Sequence, residues 1–149
     1  MSEQQTEKPK TKQKKTFKFS KRSRENMKGV NPILVKLAEN ALSRTEYDFG
    51  VIENGGFRTQ EMQSELFRKG FSQLDGFDRI SAHQTGNALD LIPYVSGKFT
   101  WENKKAFEAI NKAVNEAWEE MNVRGVQLIW GGNWKNFYDP AHYQIKAKR

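Results

Sequence analysis

The chain has no cysteine. A disulfide framework, a thiolate metal site, an iron–sulfur centre and a cysteine nucleophile are excluded together. Histidine is nearly absent too, with only His83 and His142 in 149 residues, so any imidazole chemistry must pass through these two side chains. Proline occurs four times. No apolar run reaches the roughly 20 residues of a membrane span, and the N-terminal stretch lacks the apolar segment of a signal peptide. The mean hydropathy is −0.86, low for a globular protein. Against that stand ten Phe, four Trp and four Tyr, enough aromatic surface to build a core. The length suits one domain.

Charge is unevenly placed. The net charge is +7. Residues 1–28 hold ten Lys/Arg and three Glu, so all of the excess lies there and residues 29–149 are neutral. The pI of about 9.6 is therefore no sign of a basic groove on the folded part, and no specific nucleic-acid partner is expected. Residues 1–16 contain too little apolar surface to fold and read as a disordered basic tail; residues 17–149 read as the domain. The tail is either a solubilising extension or an electrostatic attachment to polyanions, such as lipopolysaccharide, acidic lipid or nucleic acid.

Periodicity and caps give a coarse order of elements. Asn31 caps a helix with Pro32 at its first position, and Ile33, Leu34, Leu37, Ala38, Ala41 and Leu42 form its apolar face. Residues 47–52 read as a strand broken by Asn54-Gly55-Gly56. Thr59 caps a helix over 60–69, closed by Gly70, and residues 70–82 read as loop. Residues 88–93 read as one strand, and Thr100 caps a long helix with Phe107, Ile110, Val114, Trp118 and Met121 as its core stripe. Strands follow at 126–130, ended by Gly131-Gly132, and at 142–146. The interspersion predicts an α+β fold with a small, mostly antiparallel sheet and flanking helices.

Imidazole and carboxylate are the ligands left for zinc when thiolate is missing, and a catalytic site wants three of them with one position open. His83, Asp90 and His142 supply that set. Gly86 lets the chain turn after His83 so that Asp90 can return along the following strand. Asp139, three residues before His142 with Pro140 between, is placed to lie near the ion without binding it, where a general base belongs. Magnesium and calcium fit less well because they prefer all-oxygen shells. The spacing by itself is also that of two ordinary histidines beside acids.

Three segments sharpen this reading. SAHQTGNALDL (81–91) resembles the S-x-H-x-x-G-x-A-x-D signature of the zinc D-alanyl-D-alanine peptidase family, which has the Hedgehog/DD-peptidase fold. GGNWKNFYDPAHYQI (131–145) resembles that family's acid-x-x-His block behind a Trp-containing turn, and GGFRTQEMQ (55–63) its G-x-R-T-x-x-x-Q block. The resemblance implies a zinc hydrolase of bacterial peptidoglycan, with His83, Asp90 and His142 as Zn²⁺ ligands and Asp139 as catalytic acid/base. It also implies Arg58 at the developing oxyanion, and Ser81, Gln63 and Trp134 as residues lining the substrate site. Aspartate rather than glutamate at position 139 resembles the branch of phage endolysins that cut the L-alanyl-D-glutamate bond to lyse the host. That branch implies a monomer made in the host cytoplasm and acting on the wall in the periplasm. The alternatives are a D-Ala-D-Ala carboxypeptidase or dipeptidase of the same family, and a non-enzymatic polyanion-binding protein acting through the tail.

Overall fold

The computed structural model describes residues 16–148. The expected disordered tail, apart from Thr16, lies outside them. Among the described residues four α-helices are formed: α1 (Lys21–Asn26), α2 (Pro32–Leu42), α3 (Gln60–Arg68) and α4 (Lys104–Met121). Six strands accompany them: β1 (Phe49–Gly50), β2 (Ala88–Asp90), β3 (Ile92–Val95), β4 (Lys98–Phe99), β5 (Val126–Trp130) and β6 (His142–Ala147). They make two three-stranded antiparallel sheets, in the orders β1-β3-β4 and β2-β6-β5. The fold is α+β as the sequence predicts, with two small sheets in place of one.

The caps explain most helix boundaries. Asn31 accepts from the Ile33 amide at 2.9 Å and Thr59 from that of Met62 at 3.1 Å, as expected. The long helix starts later than expected. Asn103, not Thr100, is its cap, accepting from the Ala106 amide at 3.0 Å. Thr100 is still tied to the preceding hairpin, its amide donating to the carbonyl of Pro93 at 3.0 Å. That hairpin, β3–β4, turns through Ser96 and Gly97, both at positive φ, and the periodicity of the sequence did not reveal it.

Two further expectations are corrected. The run 88–93 is not one strand but two. Leu91 is the corner, its amide donating to the Ala141 carbonyl, so that β2 pairs with β6 while β3 pairs with β1 and β4. The predicted strand 47–52 keeps only two residues. Its continuation is claimed by α1: Ser23 Oγ accepts from the Val51 amide at 3.0 Å, and Asn26 Nδ2 donates to the Val51 carbonyl at 2.9 Å. Helix α1, capped by Ser20, was itself not foreseen, because its sequence is polar and runs on from the basic stretch.

The main core lies between α2, α4 and the β2-β6-β5 sheet. Leu34, Leu37, Ala41, Ile110, Val114, Ala117, Leu89 and Tyr143 are nearly inaccessible, and Trp118 and Met121 close its margin. Phe19 joins it edge-on to Phe49, ring centres 5.8 Å apart. Tyr143 is driven toward its neutral form by burial, and its hydroxyl oxygen accepts from Asn111 Nδ2 at 3.2 Å. This packed sheet gives the chemistry-bearing residues a rigid base.

Gly86 shows how closely the pieces meet. It stands at φ +77°, and a Cβ there would lie 2.5 Å from the Gly29 carbonyl oxygen, while its own carbonyl accepts from the Asn31 amide. Gly70 stands at φ +82° with nothing within 4 Å of a Cβ. Gly70→Ala should cost only the left-handed backbone penalty, about 1–2 kcal/mol. Gly86→Ala should cost visibly more, because backbone must also move. Paired thermal melts of the two variants measure the difference, and equal melting temperatures would show that the contact at Gly86 is soft.

Candidate metal centre and catalytic cleft

Register places the first two chemical groups. In the β2–β6 ladder Asp90 stands directly opposite His142, so their side chains meet on one face. His83 arrives from the 3-10 turn Ala82–Thr85, which is capped by Ser81 Oγ accepting from the His83 amide at 3.1 Å and ended by Gly86. The loop carrying Arg58 is laced to both: the Asp90 amide donates to the Gly55 carbonyl at 2.7 Å, and the Arg58 amide to the His83 carbonyl at 3.1 Å.

The result is a tight cluster. Asp90 Oδ1 lies 3.3 Å from His83 Nε2 and 3.3 Å from His142 Nδ1, and the two imidazole centres are 5.0 Å apart. All three side chains are shielded, at 2%, 8% and 16% exposure for His83, His142 and Asp90. Asp90 Oδ2 faces Arg58 Nη2 at 3.4 Å. Burial opposes the Asp90 charge, yet the two histidines overcome it and hold the carboxyl far below the usual carboxylate range. Burial likewise opposes protonation of His142, and Asp90 outweighs it, raising the imidazole above its ordinary value.

The outer nitrogens decide what the inner ones can do. His83 Nδ1 is 2.8 Å from the Gly56 carbonyl, which can only accept, so this nitrogen carries the proton. His142 Nε2 is 2.7 Å from Gln144 Oε1 and carries its proton for the same reason. In the neutral rings His83 Nε2 and His142 Nδ1 are then bare lone pairs, both aimed at a carboxylate oxygen. Three acceptors with no donor among them call for a cation. Two imidazoles and one carboxylate, all within 4.8 Å of one another, fit a transition-metal ion.

A cleft of about 400 Å³ opens over the cluster, lined among others by Arg58, residues 71–74, His83, residues 134–137, Asp139, His142 and Gln144. Asp139 is brought there by a turn in which its amide donates to the Gly131 carbonyl at 3.0 Å and its carbonyl accepts from the His142 amide at 3.1 Å. Trp130 Nε1 pins the same turn through the Pro140 carbonyl at 2.7 Å. Gly131 is needed: a Cβ there would sit 2.3 Å from the Asp139 carbonyl oxygen. Burial, and after it the Asp90 charge, raises the Asp139 carboxyl above its ordinary value, against the pull of His142, His83 and Arg58.

Arg58 is bound on three sides, to the Asn54 carbonyl at 2.7 Å, Gln63 Oε1 at 3.0 Å and Asp90. Burial lowers its affinity for the proton, and Asp90 and Asp139 counter that loss. Of the residues expected to line the site, Trp134 does so, its ring centre 5.0 Å from that of His142. Gln63 and Ser81 are brought to the site from behind. Gln63 is fully buried, and its amide donates to Ser72 Oγ and the Leu74 carbonyl while its oxygen holds Arg58. Ser81 is buried as the cap under His83. Two groups were missed. Gly56 contributes a backbone carbonyl, which residue type cannot reveal. Gln144 stands two residues after His142 on the same face of a strand, so the alternation of β6 was the available signal.

Comparison with known proteins agrees. Residues 15–147 match the model of a family described as phage L-alanyl-D-glutamate peptidase. The chain belongs to the phage L-alanyl-D-glutamate peptidase family. It is 36% identical over 131 residues to the L-alanyl-D-glutamate peptidase of Escherichia phage T5, covering 88% of this chain and 90% of that one. The crystal structure of the Serratia marcescens L-Ala D-Glu endopeptidase ChiX superposes with a TM-score of 0.73 at 34% identity, over 88% of this chain and 91% of that one. This chain thus carries the cluster on a fold shared with a solved endopeptidase.

Gln144 holds the His142 tautomer, so in a titration with Zn²⁺ as the probe ion Gln144→Leu should bind it about 10- to 100-fold more weakly than the wild type. Competition titration against a chromogenic chelator reads this directly, with circular dichroism confirming the fold. Undiminished affinity would show that the Gln144 contact does not orient the ligand.

Proposed function

We propose that this chain hydrolyses the L-alanyl-D-glutamate bond of peptidoglycan stem peptides as a zinc-dependent endopeptidase, and serves a phage as an endolysin. The observation that carries the reading is the convergence of His83 Nε2, His142 Nδ1 and Asp90 Oδ1 beside Asp139 in one cleft, within a family named for this bond. His83, Asp90 and His142 would hold Zn²⁺, which when bound supplies a Lewis acid for the carbonyl and brings the pKa of an attacking water to roughly 7.

The chain's own residues do the rest. Asp139, with its raised proton affinity, takes the proton of the water as its oxygen attacks the L-alanyl carbonyl. Arg58, held by Gln63, Asn54 and Asp90, presents positive charge to the oxyanion of the tetrahedral intermediate. Asp139 then gives the proton to the leaving nitrogen, the C–N bond breaks, and the products are an L-alanine carboxylate and a D-glutamate amine. Trp134 walls the substrate. Gln63 and Ser81 act as positioning residues for Arg58 and His83. In this reading residues 17–149 are the catalytic domain of a monomer acting at the cell wall, and the basic stretch before it contacts the anionic envelope. None of the helices among the described residues is long and apolar enough to cross a membrane.

Mass spectrometry of purified peptidoglycan digested with the Zn²⁺-loaded protein tests the bond. New D-glutamate amino termini, abolished by chelator, are expected. Release of terminal D-alanine alone would move the enzyme to the carboxypeptidase alternative, and no cleavage would overturn the reading. Asp139→Ala should keep its zinc and lose about 10²–10⁴-fold in turnover, whereas His142→Ala should lose both. Near-normal turnover of Asp139→Ala would remove it as the base.

A further inference from the structure

The cleft holds one charged side chain that the chemistry above does not use. Its lining contains two permanent cations, Arg58 and Lys135. Arg58 is committed to Asn54, Gln63 and Asp90. Lys135 is exposed on the segment 134–137 and has neither an ion pair nor a hydrogen bond to any of the described residues. It directly follows Trp134, whose ring packs beside the ligand His142. An ammonium with no partner among the described residues is thus carried by the wall of the cleft, whose lining also holds the carboxylate of Asp139.

The substrate class supplies the counter-charge. In a stem peptide D-glutamate continues the chain through its γ-carboxyl, so its α-carboxyl is free and sits on the carbon attached to the scissile nitrogen. This carboxylate must enter beside Asp139, and that approach needs a compensating cation. Arg58 cannot serve both the oxyanion and this group while tied on three sides.

We propose that Lys135 is the specificity residue that binds the free α-carboxylate of the leaving D-glutamate, so that the enzyme discriminates against stems in which this group is amidated. The inference rests on the endopeptidase reading and deepens it. Lysine, a compact point charge on a flexible stem, suits a monodentate contact at an exposed wall. Charge-assisted hydrogen bonds are stronger than neutral ones but are screened at exposed sites, which sets the expected discrimination at roughly tenfold.

The test compares two muramyl tripeptides, one with D-glutamate and one with D-isoglutamine, as substrates of the Zn²⁺-loaded wild type, Lys135→Met and Lys135→Arg. Wild type should prefer D-glutamate by about tenfold in kcat/KM. Lys135→Met should lose that preference through a higher KM for the D-glutamate peptide alone, and Lys135→Arg should keep most of it. A wild type indifferent to amidation, or a Lys135→Met variant that retains the preference or loses both substrates equally, would overturn the proposal. A third peptide amidated on the diamino acid instead should behave like the unamidated one; discrimination against it would assign Lys135 to the wrong carboxylate. Cleavage of no peptide by wild type would instead defeat the endopeptidase reading itself.

Discussion

Everything at this site depends on a single carboxylate oxygen. Asp90 Oδ1 faces two imidazole nitrogens at 3.3 Å, and in the neutral rings each of those nitrogens is bare because its ring partner is engaged by a carbonyl oxygen. Such a set is unfavourable when dry and buried. A cation between the three resolves it. The buried Asp90 charge also sets the surroundings: it ties Arg58, and, after burial itself, it raises the proton affinity of Asp139.

The fold is arranged around holding that oxygen still. Strand β2 has only three residues, yet it is locked on one side by the β6 ladder and on the other by the Gly55 carbonyl. Leu91 then redirects the chain to the second sheet, so Asp90 is the last residue of its strand and its side chain lies at the edge of the core. Helix α1 and the cap of α2 reach the same place through Val51 and Gly86. The cleft is correspondingly made of two kinds of wall. Its floor is strand and tight turn, and its rim consists of the irregular segments 71–74 and 134–137, where residues can vary without disturbing the His83–Asp90–His142 cluster.

Much of this was legible in the sequence. The caps at Asn31 and Thr59, the stripe of α4, and the strands beginning at Val126 and His142 follow from local chemistry and period. With cysteine absent, His83, Asp90 and His142 offered a candidate ligand set, and it was the resemblance of residues 81–91 and 131–145 to the peptidase family that singled it out. The misses have a common cause: they are decided by tertiary partners. Residues 88–93 look like one strand because nothing local marks the change of sheet at Leu91. Thr100 is as good a cap as Asn103 until the Pro93 carbonyl claims its backbone. Gln63, expected to line the substrate site, is instead fully buried behind it, because loop 72–74 and Arg58 close over it. The acceptors behind the two imidazoles, a backbone carbonyl and a strand glutamine, carry no motif of their own.

The most direct test of the account follows the imidazole nitrogens themselves. Long-range ¹H–¹⁵N spectra of the labelled protein should show, on addition of one equivalent of Zn²⁺, the ¹⁵N resonances of His83 Nε2 and His142 Nδ1 moving to metal-bound positions. His83 Nδ1 and His142 Nε2 should remain protonated throughout. Binding through the opposite nitrogen of either ring, or a response from only one histidine, would contradict the three-ligand centre on which the proposed chemistry stands.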